Sequence, residues 1–144
     1  MKSCFLVLLT LFMVSACSPS DNQPESSINE LMLDVVTPAT NTLWGVADPQ
    51  TDADWNVFVV AASQVIAAGE QIKRGGSGPN DMIWAAEPAW QAFADRLIGA
   101  AIDAGDAASA KNLDALFEAN DILYPPCEEC HIQFHPGVGA EELN

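Results

Sequence analysis

Cys127-Glu128-Glu129-Cys130-His131 is the one stretch of this 144-residue chain whose residue types and spacing spell out a specific chemistry. It reads C-x-x-C-H, the pattern by which a c-type haem is attached. Two thiols one turn of chain apart can add across the two vinyl groups of a single porphyrin. The histidine that follows is then held beneath the iron, where its imidazole nitrogen can act as the proximal ligand. Two other chemistries compete for the same letters. A zinc site on Cys127, Cys130 and His135 wants a fourth ligand, and the chain beyond residue 17 has no second Cys pair to supply it. A redox dithiol of the thioredoxin kind wants a βαβ setting, and no alternating strand pattern is present. The haem reading gains weight from an export signal at the other end of the chain, because c-type haem is attached outside the cytoplasm.

Four amphipathic segments joined by short loops must position this motif. Ser26 or Ser27 can cap the first, with Glu30 as the capping-box partner of Ser27. Helix A is predicted from Ile28 to Leu43 or Trp44, with Ile28, Met32, Val35, Ala39 and Leu43 on one stripe and a kink or break at Pro38. Helix B starts at an N-cap near Asp52, buries Phe58, Ala62, Val65 and Ile72, and closes on Lys73 and Arg74. The loop 75–80 (GGSGPN) is glycine-rich but lacks the Gly-Lys-Ser/Thr ending of a phosphate loop. Helix C begins between Asp81 and Pro88, turns Trp90, Phe93, Ala94 and Leu97 inward, and is predicted to end at Gly105. Asp106 is then the cap of helix D, whose stripe of Leu113, Leu116, Phe117, Asn120 and Tyr124 runs into the motif. Short loops make neighbours antiparallel, so the predicted fold is all-α, an up-down-up-down antiparallel four-helix bundle.

The N-terminus reads as a targeting segment. Lys2 is followed by an apolar run at 5–14 (FLVLLTLFMV), too short to span a membrane as an ordinary helix. Val14-Ser15-Ala16-Cys17 resembles the lipobox of bacterial lipoproteins, which implies a lipid on Cys17 and, with Ser18 next, an outer-membrane anchor facing the periplasm of a Gram-negative bacterium. An ordinary secretory cut giving a soluble periplasmic protein is the alternative. The resulting division is signal peptide 1–16, polar tether 17–27, haem domain 28–136 and frayed tail 137–144. Cysteine use then closes, with Cys4 removed, Cys17 lipidated, and Cys127 and Cys130 on haem. Beyond the signal, 20 acidic side chains face only Lys73, Arg74, Arg96 and Lys111, a formal charge of −16. Nucleic acid is excluded as a partner, and a basic redox partner would be steered toward this surface.

In such a bundle the C-terminal end of helix D lies beside the start of helix A and the 73–84 loop, which should wall the haem pocket. Met32 and Met82 are the only methionines after the signal. Met32, on helix A, is the candidate distal ligand or cap. A thioether there would make the iron six-coordinate and raise its potential, whereas a packing role would leave the distal face open. His135, four residues past His131, is placed near the haem edge or a propionate. Lys73 and Arg74 either neutralise propionates or simply cap helix B.

With one C-x-x-C-H close to the C-terminus of four helices, residues 28–135 resemble the cytochrome c′ family, the class II c-type cytochromes. The resemblance implies a four-helix bundle with one covalent haem c, thioethers at Cys127 and Cys130, His131 as proximal ligand, and a helix A residue near Met32 over the distal face. It also implies pairing of two chains through helices A and B. Three features depart from the family. His135 stands where a basic residue, usually Arg, is common. Pro125-Pro126 precede the motif, predicting a kink or a fresh helical turn, and Pro38 disturbs helix A. Two functions follow as expectations: electron transfer by a mono-haem carrier, or binding of NO or CO at five-coordinate iron. An enzyme such as a peroxidase is disfavoured, since Asn29, Glu30 and Asp34 near the distal side include no His or Arg.

Overall fold

The computed structural model describes residues 26–137. The segment 1–16 read as a signal peptide, Cys17 with tether residues 17–25, and tail residues 138–144 lie outside the described residues. Among the described residues every regular element is helical. α1 (Ile28–Leu31) leads through a π-helical turn (Met32–Val36) into α2 (Thr37–Trp44). Three long helices follow, α3 (Asp52–Arg74), α5 (Pro88–Ser109) and α6 (Leu113–Phe134), with the short α4 (Asp81–Ala85) between the first two. The 28–44 segment lies on α3, α3 packs along α5, and α5 along α6, whereas α2 and α6 touch only sparsely. Among the described residues no helix is long and apolar enough to cross a membrane.

Local chemistry explains most of the helix ends. Ser27 caps α1: its Oγ accepts from Glu30 N at 3.2 Å, and Glu30 Oε2 accepts from Ser27 N at 2.8 Å. Thr51 and Asp54 form the same box at the start of α3, one residue before the cap predicted near Asp52. The break expected at Pro38 is a π-helical turn between α1 and α2 rather than an interruption of the helical backbone. The turn before it widens, with Thr37 N donating to Met32 O, and Pro38 falls in the first turn of α2, where a missing N–H costs least.

Two predicted boundaries fail. Gly105 does not end α5, which continues to Ser109, and Asp106 caps nothing; Asn112 caps α6 by accepting from Ala115 N at 3.1 Å. Gly105 instead serves packing, since a Cβ there would stand 3.3 Å from Ala62 Cβ. The helix stops because Lys111 takes a left-handed conformation, φ 55°, letting Asn112 N donate to Ala107 O and Lys111 N to Ala108 O. Pro125 and Pro126 also fail to restart the chain. α6 runs unbroken through both, with Pro126 buried.

The core is built of small and medium side chains. Leu43, Val65, Leu116 and Leu123 are fully buried, amid a run of alanines on α3, α5 and α6. Small residues let helices approach closely: a Cβ at Gly69 of α3 would meet Ile98 Cγ1 of α5 at 2.6 Å. The last carbonyls of α3 are capped from α5. Trp90 Nε1 donates to Ile72 O at 2.8 Å and Gln91 Nε2 to Lys73 O at 2.8 Å.

Candidate functional site

Where α2 and α6 stand apart, a cavity of about 810 Å³ opens between them. That volume is within the usual range for a site that encloses a small molecule or cofactor. One wall is the 28–44 segment, from Ile28 and Met32 through Val36 and Thr40 to Trp44. The other is the C-terminal half of α6. The loop 78–80, Asp81 and Trp84 of α4, and Trp90, Phe93 and Leu97 of α5 line the rest. The regular spacing of four along the first wall has a structural origin. At 3.6 residues per turn, sixteen residues of plain α-helix would carry Trp44 roughly 160° round from Ile28. The π turn absorbs one extra residue and holds the row nearer one face.

Cys127, Cys130, His131 and His135 all line this cavity, and so does Met32. Spacing on one helix brings the first three together. Cys127 Sγ donates to Leu123 O at 3.4 Å, as a small side chain on a helix can. Burial pushes the Cys127 thiol up to about 11, and burial with the neighbouring Cys127 pushes Cys130 up to about 11. Both sulfurs are therefore neutral thiols at ordinary pH, the opposite of the depressed thiol that an exchange-active dithiol needs. Burial, then the nearby His135, lowers the pKa of His131, so its imidazole is neutral and holds a free lone pair. His135 ends α6, with its N–H on His131 O at 2.9 Å and its side chain exposed. Among the described residues no three His, Cys, Asp or Glu side chains gather into a metal-holding group, so the zinc arrangement of Cys127, Cys130 and His135 is not assembled.

Other candidates fall outside. Met82 is 58 % exposed and does not line the cavity; its Sδ lies over Gly75. Lys73 pairs with Asp95 and does not line the cavity either. Cys17 lies outside the described residues. No family model, curated protein or solved structure matches this chain.

The cavity also contains residues that sequence reasoning did not single out as site residues. Trp84 stacks on Trp90, centroids 5.6 Å apart, and Phe134 meets Trp90 edge-on at 5.1 Å, closing one end with apolar surface. At the other end Trp44 and Tyr124 meet edge-on at 6.0 Å. Asp81, buried and aimed at backbone N–H groups, borders the cavity beside Ile28. Outside the cavity, on the exposed side, Arg96 of α5 grips Glu129 of the same five-residue stretch by a two-pronged bond of 2.7 and 3.1 Å. The aromatic residues had a compositional signal, four tryptophans in a small domain; Asp81 had none, because its partner is 53 residues away.

These residues fit a haem. One wall offers two thiols and a neutral imidazole, the opposite wall offers a thioether among apolar groups, and the volume between is open. Leu33 and Ile132, which line the cavity, are 63 % and 68 % exposed, an apolar surface that such a group would cover.

Proposed function

We propose that this protein is a mono-haem c-type cytochrome that carries electrons, built as an up-down-up-down antiparallel four-helix bundle similar to the cytochrome c′ family. The observation that carries the reading is that the C-x-x-C-H side chains and Met32 line one and the same cavity from facing walls. Cys127 and Cys130 would hold haem c as thioethers, and His131 would supply a nitrogen to its iron. A haem so held supplies one-electron chemistry at its iron. Met32 would be the candidate for a second protein ligand to its iron, and His135, exposed at the end of α6 beside Phe134, would be placed to meet a propionate. Trp84, Trp90, Phe93 and Phe134 exclude water from one side, which favours a raised potential. Lipidation of Cys17 after removal of residues 1–16 anchors the domain to the outer membrane on its periplasmic side, where a basic partner exchanges electrons with it.

A second reading is gas binding, for NO or CO, at iron without a sixth protein ligand. It is favoured by the apolar character of the 28–44 wall: Val36 is buried, and the Thr40 hydroxyl is already committed to Val36 O at 2.9 Å. The absorption spectrum of the purified mature protein, ferric and dithionite-reduced, with and without CO, tests both. A sharp low-spin reduced spectrum that CO changes only slowly, as it displaces Met32, and that is lost in Met32→Ala, is expected for the electron carrier. A high-spin spectrum that shifts at once with CO would replace that reading with the second. Absence of covalent haem after expression with a haem-attachment system would overturn both.

A further inference from the structure

The wall that carries Met32 is held at its two ends by side chains that belong to other elements. At its start, Asp81 of α4 is 4 % exposed, and its Oδ2 accepts from Ile28 N at 2.8 Å and from Gly78 N at 2.9 Å. The adjacent loop is drawn in with it, as Ser77 N donates to Ser26 O at 3.1 Å. At its end, Asn120 of α6 is 6 % exposed, and its Nδ2 donates to Leu43 O at 2.7 Å. In return Trp44 Nε1 donates to Asn120 O at 3.3 Å. Leu43 O is one of the last carbonyls of its helix, without a partner inside the helix, and its other bond, from Val46 N at 3.3 Å, is longer than that from Asn120. Between these two points the wall faces the cavity.

We propose that Asp81 and Asn120 are positioning residues that set the distance between the Met32-bearing wall and the C-x-x-C-H helix; this rests on the haem reading above. Both bonds end on backbone atoms, so they fix the helix itself rather than one side chain. Asn120 stands seven residues before Cys127, on the same face of α6 and about 10 Å along its axis. The wall is thus pinned to the very helix that carries the motif. Asn120 also keeps a buried Oδ1 without a hydrogen-bond partner among the described residues. A buried unpaired amide oxygen opposes stability, and an apolar residue of the same size would avoid it. Retaining the amide makes sense if its Nδ2 is needed to hold Leu43 where it is.

The test is the rate of CO association with the reduced, haem-loaded mature protein, read by flash photolysis or stopped flow. Asp81→Ala and Asn120→Leu free one end of the wall each and should speed CO association at least tenfold. Asp81→Asn should remain within twofold of wild type, because an amide oxygen in the place of Oδ2 can accept both N–H groups. Gly69→Ala, which crowds Ile98 at the α3–α5 contact, lowers the thermal midpoint without touching the wall and should leave the rate unchanged. Rates within twofold of wild type in Asp81→Ala and Asn120→Leu, with haem attached, would overturn the proposal alone. So would a Gly69→Ala effect as large as theirs. If Asp81→Ala does not fold, Asn120→Leu, close to isosteric, decides by itself. A wild-type chain without covalent haem overturns the haem reading and this proposal together.

Discussion

At the scale of single residues, the chemistry turns on two thiols that folding keeps protonated. An acid whose pKa is raised on folding stabilises the fold below its unfolded value and loses that contribution as pH climbs to the folded one. For Cys127 and Cys130 that window runs from the ordinary 9.0 up to about 11. A chain produced without haem attachment should therefore lose stability between those values, and its thiols should resist a maleimide at pH 8. The expected reactivity is roughly a hundred times below that of a free cysteine, from the smaller thiolate fraction. Fast labelling of the folded chain at pH 8 would show that the thiols are exposed or activated, and would reopen the dithiol reading. With haem attached, Cys130→Ala should leave a single thioether, and the alkaline-pyridine spectrum should shift to longer wavelength as one vinyl group stays conjugated.

At the scale of elements, the α5–α6 junction yields a stability prediction and explains a misreading. Lys111 occupies the left-handed position that ends α5, where a Cβ is costly and glycine is free. Lys111→Gly should stabilise the domain by about 1 kcal/mol, a rise of about 4 °C in thermal midpoint. The ion pair to Asp52 that is lost is solvent-exposed and worth little. An unchanged or lowered midpoint would show that the turn is not strained. The sequence put the break at Gly105-Asp106 because a glycine before an acidic residue is the usual sign of a helix end. Here the glycine was wanted for packing on Ala62, and the turn was made by a lysine. The starts of α1 and α3 were legible because Ser27–Glu30 and the Asp54 turn are contacts within four residues. Pro125 and Pro126 misled in the other direction, since their context in α6 holds the helix through them. The motif and Met32 could be assigned to one end of the helices from order alone. Asp81 and Asn120 could not be, because their bonds to Ile28 and Leu43 span 53 and 77 residues.

At the scale of the whole molecule, charge sets how stability responds to acid. Beyond residue 16 the chain carries a formal −16, and its described ion pairs, Lys73–Asp95, Arg96–Glu129 and Lys111–Asp52, have partners well exposed to solvent. Such pairs offset little of the mutual repulsion of the remaining carboxylates. Protonating some of those carboxylates should relax the repulsion. Four carboxylates behave differently. Hydrogen bonds from Ser27 and Thr51 hold Glu30 and Asp54 below the usual range, and bonds from Lys111 and Arg96 do the same for Asp52 and Glu129. A carboxyl with a depressed folded pKa stabilises above its unfolded value and loses that contribution as pH falls through the folded one. The two effects act in different windows. The thermal midpoint should rise from pH 7 to about pH 5 as repulsion fades, then fall below about pH 4 as the capping boxes and ion pairs protonate. Raising the salt concentration at pH 7 should reproduce the first change, since it screens the same repulsion, and should flatten the rise toward pH 5. Glu30→Gln with Asp54→Asn should lower the midpoint at pH 7 and make the fall below pH 4 shallower. A midpoint that declined steadily from pH 7 downward, with no gain from salt, would mean that the caps and ion pairs outweigh the net charge throughout.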